Sequence, residues 1–196
     1  MRVLVVGATG TIGKAVADVL AERGDDVVRA SRRGDHAVDI ADPASIRALF
    51  AKVGWVDAVV SCGGSAKMGA LETLTDADFA ASIANKLMGQ VNLVRFGVAH
   101  VRDEGAFLLT AGIFSQRPPA GVPAAAMVNG ALESFARAAS KDLPRRIRLV
   151  TVSPPLIHET AVAMGLPSNG ALSARDNAQR YADLLHGDQT GQVVYT

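Results

Sequence analysis

The sequence predicts an α/β fold, a doubly wound three-layer α/β/α sandwich around a mostly parallel sheet of about seven strands. Three observations carry this expectation. Short β-branched runs alternate with longer stretches of helical periodicity along the chain. The first run, "RVLVV" (2–6), is apolar without interruption, the pattern of a strand buried on both faces. A glycine loop, "GATGTIG" (7–13), leads from it into the first helix. Alternation of this kind feeds successive crossovers and places helices on both faces of a parallel sheet.

The elements follow in order. Ile12, Val16, Val19 and Leu20 recur at helical spacing, up to Gly24 as a C-terminal stop. "DVVRA" (26–30) reads as the second strand and "AVDI" (37–40) as a short third. Asp42 and Pro43 open a helix, the first as N-cap and the second at the first helical position. "VDAVVSC" (56–62) is the fourth strand. Thr75 and Asp78 frame a capping box for a long helix reaching about His100. "AFLLT" (106–110) is the fifth strand, and a helix from about 123 to 142 follows. "IRLVTV" (147–152) is the sixth strand. Ser173 caps a last helix, and "QVVYT" (192–196) is a final short strand. With no linker, repeat or low-complexity tract, residues 1–196 read as a single domain.

Composition narrows the function classes. Apolar residues make up 49% of 196, enough for a large core. A net charge of +1 gives no electrostatic case for nucleic acid or an anionic membrane. No apolar run approaches the roughly 20 residues of a membrane helix. The first residues lack the layout of a secretory leader, and the lone Cys62 has no partner for a disulfide. A cytoplasmic protein is expected. No His/Cys pair has metal-ligand spacing, so no metal centre is expected either.

The glycine loop follows a buried strand and opens a helix, the context in which it binds a dinucleotide in Rossmann-type folds. Gly7 allows the tight turn, Gly10 lets backbone approach a pyrophosphate, and Gly13 lets the helix pack close to the sheet. Thr9, Thr11 and Ile12 complete the loop. At the tip of the second strand an acidic residue would favour NAD(H) by binding the ribose 2′-hydroxyl. Ser31, Arg32 and Arg33 stand there instead, and arginine forks bind phosphate. NADP(H) is therefore expected over NAD(H), the alternative being two solvated surface arginines.

With these motifs the chain resembles the short-chain dehydrogenase/reductase family over nearly its whole length. "GATGTIG" is similar to that family's phosphate loop in its GxxGxxG spacing. "VDI" (38–40) resembles the pair that contacts adenine, here Asp39 and Ile40. "SCGG" (61–64) stands where members carry NNAG, which implies cofactor contacts from Cys62, Gly63 and Gly64. "VSPPLIHET" (152–160) resembles the segment that touches the nicotinamide, which implies Pro154 and Leu156.

The catalytic positions depart from the family's pattern. Its lysine position falls on Asn129, and four residues earlier Ala125 stands where it has tyrosine. Its serine falls on Ala111, beside Thr110, and its asparagine on Lys86. Lysine and asparagine are thus exchanged between two helices that are neighbours in the family. The resemblance implies that Lys86 supplies the cation near the nicotinamide ribose, with Asn129 as partner. Lys86 then belongs to both the cofactor site and the catalytic set.

A proton donor is also required for carbonyl reduction. His158, Lys86, Lys67, Cys62 and Ser115 are candidates. His158 reads either as a donor near the nicotinamide or as an exposed loop histidine. Thr110 offers a hydroxyl in place of the missing serine, but one position early in the strand. Tyr181 and Tyr195 lie in the last helix and strand, away from the expected site. The segment from Pro155 to Ser173 corresponds to the family's substrate lid and is short, which implies a small or shallow substrate pocket.

Two functions remain open from the sequence. One is an NADP(H)-dependent oxidoreductase of a small carbonyl or alcohol with an unusual proton donor. The other is an NADP(H)-binding sensor or interaction protein without turnover. The resemblance also implies a homodimer or homotetramer through the two long helices.

Overall fold

A computed structural model describes residues 1–196. Strands β1 (Arg2–Val6), β2 (Asp26–Ala30), β3 (Val56–Ser61), β4 (Val101–Thr110), β5 (Arg148–Ser153) and β6 (Val193–Tyr195) form one sheet. Their order is β2-β1-β3-β4-β5-β6, and every neighbouring pair is parallel. The winding reverses between β1 and β3. Beyond the carboxyl ends of those strands the crossovers diverge and leave a crevice.

The unbroken apolar runs follow from burial on both faces. Leu4, Val59, Phe107 and Leu149 point to one side, against α2 (Pro43–Val53), α4 (Gly89–Gly97) and α5 (Pro123–Ala139). Val3, Val5, Val60, Leu108 and Val150 point to the other, against α1 (Thr11–Glu22) and α7 (Ala174–Leu185). Side chains alternate along each strand, so two separate cores grow from the same runs.

Local capping signals place the helix starts. Asp42 accepts a bond from the Ala44 N–H and Pro43 takes the first helical position of α2. Thr75 and Asp78 form a reciprocal capping box at α3 (Asp76–Ser82). Ser173 accepts from the Asp176 N–H at α7. No helix is long and apolar enough to cross a membrane.

Four elements differ from expectation. The sheet has six strands and not seven. Residues 37–40 make only an isolated bridge, Ala37 to Ser31. The turn 31–36 is too short for the crossover of about a dozen residues that a parallel neighbour needs. β4 begins at Val101, five residues before the expected start; the exposed Arg102, Asp103 and Glu104 break the apolar pattern and mask its first half. The long helix is interrupted by a π turn, Ile83–Met88, before α4 resumes. The lid contains a short helix, α6 (His158–Ala163).

At the amino ends of the strands, Asp57 ties β1 to β4. Its carboxylate accepts the Arg2 N–H at 2.5 Å and pairs with Arg102 at 2.8 Å.

Candidate active site

The crevice at the carboxyl ends of the strands is built from the glycine loop upward. Gly7 has φ +85°, and a Cβ there would lie 2.6 Å from the Gly63 nitrogen. A Cβ on Gly13 would lie 2.1 Å from the Gly7 carbonyl oxygen. The loop therefore touches the β3 tip on one side and α1 on the other, with no room for a side chain. Gly10 is the N-cap of α1, and no side chain caps that helix or places an acid in its first turn. Its free N–H groups and positive dipole end face the crevice and suit an anion.

One half of the crevice is polar, about 340 Å³, and is lined by Gly7, Thr9, Gly10, Ser31, Arg32, Asp39, Ile40, Cys62, Gly63 and Gly64, with Ser65 and Asn85. Asn85 accepts the Ser65 N–H at 2.8 Å and so holds the loop after β3. The other half is more apolar, about 380 Å³. Ile12, Lys86, Thr110, Asn129, Pro154 and Leu156 line it together with Ala111, Ile113, Phe114 and Ala125. The halves share Cys62, Gly64 and Ser65, so the cleft is continuous.

Lys86 sits on the π turn, with its Cα 3.1 Å from where a Gly64 Cβ would be. Its Nζ donates to the Thr110 carbonyl at 3.4 Å. Desolvation lowers its ammonium from the usual lysine range to about 8. Asn129 is buried, and its Nδ2 donates to the Gly112 carbonyl at 3.3 Å. Its Oδ1 is buried with no partner. An orphaned acceptor on a cavity wall costs free energy until a donor meets it. Burial pushes the Cys62 thiol up to about 12, so it stays protonated at the junction of the halves.

Beneath the floor lie polar residues with no local signature. Gln90 is fully buried; its amide donates to the Thr110 carbonyl and accepts the Thr110 N–H, both at 2.9 Å. Tyr181 is fully buried and reaches Thr110 from α7. Glu133 is buried, and its carboxylate accepts from Ser115 and Ser153 at 2.6 Å each and from Tyr195 at 3.1 Å. Only a lone apolar-face Gln or Glu hints at these residues in the sequence.

Several expected residues stand elsewhere. His158 opens α6, exposed, with its Nδ1 3.4 Å from the Ser168 carbonyl, and it does not line the cleft. The backbone turn after Ile157 directs it outward. Arg33 is exposed and lies outside the lining, because the Ser31 hydroxyl bonds its carbonyl and turns the chain away. The Thr110 carbonyl faces Lys86, but its hydroxyl is spent on Ser61 and Tyr181. That is the consequence of sitting one residue early on an alternating strand. Ser115 likewise donates to Glu133. Thr11 begins α1, and Gly13 serves packing.

Comparison with known proteins agrees with this geometry. The family model described as enoyl-(acyl carrier protein) reductase matches residues 7–192. The protein lin1944 from Listeria innocua is 39% identical, with a TM-score of 0.95 over 100% of this chain and 99% of that one. A small-chain dehydrogenase in complex with NADPH is 25% identical, with a TM-score of 0.89 over 100% and 96%. A short chain dehydrogenase from Burkholderia cenocepacia J2315 in complex with NADP shares the fold, at 23% identity and a TM-score of 0.85 over 99% and 95%. A search of curated proteins gave no match. The glycine loop, the uncapped helix, the sheet order and the match over residues 7–192 together make the chain a member of the short-chain dehydrogenase/reductase family of oxidoreductases, through its enoyl-(acyl carrier protein) reductase model.

Proposed function

We propose that the cleft binds NADP(H) and that the protein is an NADP(H)-dependent oxidoreductase of a small carbonyl or alcohol. The observation that carries this reading is the continuous cleft, with an uncapped helix N-terminus at one end and Lys86 and Asn129, whose Oδ1 has no partner, on the lining of the other. These residues fit the group. Gly7, Thr9 and Gly10 would hold the pyrophosphate through backbone N–H groups, and Arg32 with Ser31 the 2′-phosphate. Asp39 and Ile40 would flank the adenine. The Asn129 Oδ1 would accept from a ribose hydroxyl, and Pro154 and Leu156 would wall the nicotinamide.

When bound, NADPH supplies a hydride. The chain supplies the rest. Ile113, Phe114 and Leu156 exclude water and orient an uncharged substrate. Lys86 holds a proton at Nζ, and an acidity near 8 suits donation at neutral pH.

A second reading, nucleotide binding without turnover, is favoured by Ala111 and Ala125. Their methyl groups line the apolar half where the family's pattern has Ser and Tyr. Titration with NADPH and with NADH, followed by nicotinamide fluorescence, tests the binding. A panel of aldehydes and ketones, followed by loss of NADPH absorbance, tests turnover. NADPH binding ahead of NADH with turnover supports the first reading. Binding without turnover supports the second, and no binding overturns both.

A further inference from the structure

We propose that Lys86 is a covalent capture site, its ε-amine condensing with a small apolar aldehyde in the apolar half of the cleft to form a Schiff base. This rests on the carbonyl reading of that cavity and needs no dinucleotide.

The geometry sets Lys86 apart from Lys14, Lys52, Lys67 and Lys141, which are exposed. Lys14 pairs with Asp18, and Lys52 bonds the Asp35 carbonyl. Lys86 lines a cavity walled by Ile113, Phe114, Leu156 and Met164. It belongs to none of the protein's ion pairs. Its one hydrogen bond is long, 3.4 Å to the Thr110 carbonyl. Lys86 is half-buried and has no counter-charge. An ammonium with reduced hydration and no anionic partner releases its proton more readily, and a lysine in an apolar pocket is an activated nucleophile. The lowered acidity, about 8, agrees with this. At pH 7.5 such a lysine holds about a quarter of its amine neutral, against about a thousandth for an ordinary solvated lysine.

The step balances without a further reactant. The amine lone pair adds to the carbonyl carbon, and the π pair moves to oxygen. The resulting carbinolamine loses water, so the nitrogen's two protons leave with the former carbonyl oxygen. A C=N bond replaces C=O, and no electrons are gained or lost overall. The cavity, about 380 Å³, selects for a small chain, and its apolar wall selects against charged aldehydes.

The test uses the protein without dinucleotide. It is incubated at pH 7.5 with butanal and sodium cyanoborohydride, which reduces the imine to a stable amine. Peptide mass mapping then gives the labelling rate of each of the five lysines. Lys86 is expected to label at least tenfold faster than the other four, with a rate that rises through about pH 8. The preference is expected to vanish in denaturing urea. In Lys86→Arg the other four rates stay unchanged. Equal labelling of all five, or slowest labelling at Lys86, would overturn the proposal. The comparison is made within the native protein, so it does not depend on any variant folding. Its failure leaves the NADPH titration untouched, and failure of that titration leaves this result standing.

Discussion

The Thr110 and Tyr181 hydroxyls stand 2.7 Å apart beneath the cleft floor, joining β4 to α7 inside the protein. The Thr110 hydroxyl also donates to the Ser61 carbonyl at 2.6 Å, which makes Tyr181 the donor between the two. Thr110→Val leaves the Tyr181 hydroxyl buried and unpaired, at a cost of about 2 kcal/mol. Tyr181→Phe costs about 1 kcal/mol. The double variant loses less than the sum, because neither partner is left orphaned. Urea unfolding of the three variants measures this.

The glycine loop separates packing from binding. Gly13→Ala drives a Cβ to 2.1 Å from the Gly7 carbonyl oxygen and destabilises the fold by about 3 kcal/mol. Gly10→Ala meets nothing closer than 3.4 Å and keeps its stability. Its methyl group blocks the approach of a pyrophosphate, and NADPH affinity is expected to fall at least tenfold. Thermal melts and nucleotide titration on the two variants give opposite patterns.

Arg32 lines the polar half and forms no ion pair that would occupy its guanidinium. Arg32→Ala is expected to weaken NADPH binding by about 10- to 100-fold, the worth of charge-assisted bonds to phosphate. NADH binding stays as it was. Equal losses for both nucleotides would place Arg32 on the shared phosphates.

The pH dependence of turnover follows from Lys86. A proton donor must be protonated, so kcat/KM for carbonyl reduction is level at low pH and falls as pH rises through about 8. In Lys86→Met that limb disappears along with most of the rate.

Asp57 gives a stability signature in acid. Burial alone would raise its carboxyl, but the Arg2 N–H and the Arg102 guanidinium overcome this and hold it below its usual value of 3.8. A depressed carboxylate stabilises the fold above its unfolded value, and that contribution is lost as pH falls through the folded one. Asp57→Asn is thus less stable than the parent at neutral pH. The gap closes below pH 3.8, as unfolding measured across that window will show.

Signals that reside in a few adjacent residues are legible in the sequence. The glycine loop, the Asp42-Pro43 start, the Thr75 capping box and the Ser173 cap all act through neighbours in the chain. The alternate burial of Val3, Leu4 and Val5 was readable because unbroken β-branched runs admit only a sheet covered on both faces. Features decided by distant partners were not. The short turn after Ser31 stops residues 37–40 from continuing the sheet, and exposed charges hide the first half of β4. Gln90, Glu133 and Tyr181 hold their places through hydrogen bonds from their helices to β4 and β5, which no spacing rule reveals. His158 looked chemical by type, and its direction depends on the turn into α6.

The π turn at Ile83–Met88 carries an evolutionary consequence. It behaves as one surplus residue in a helix, a phase shift of about 100° between what comes before and after it. The segment behind it keeps Gln90, Leu93 and Val94 inside while the turn itself brings Asn85 and Lys86 to the cleft. Removing a single residue from this stretch would rotate a new position into the place of Lys86 while Gln90, Leu93 and Val94 keep theirs. Chemistry at this site can therefore change by insertion and deletion as readily as by substitution.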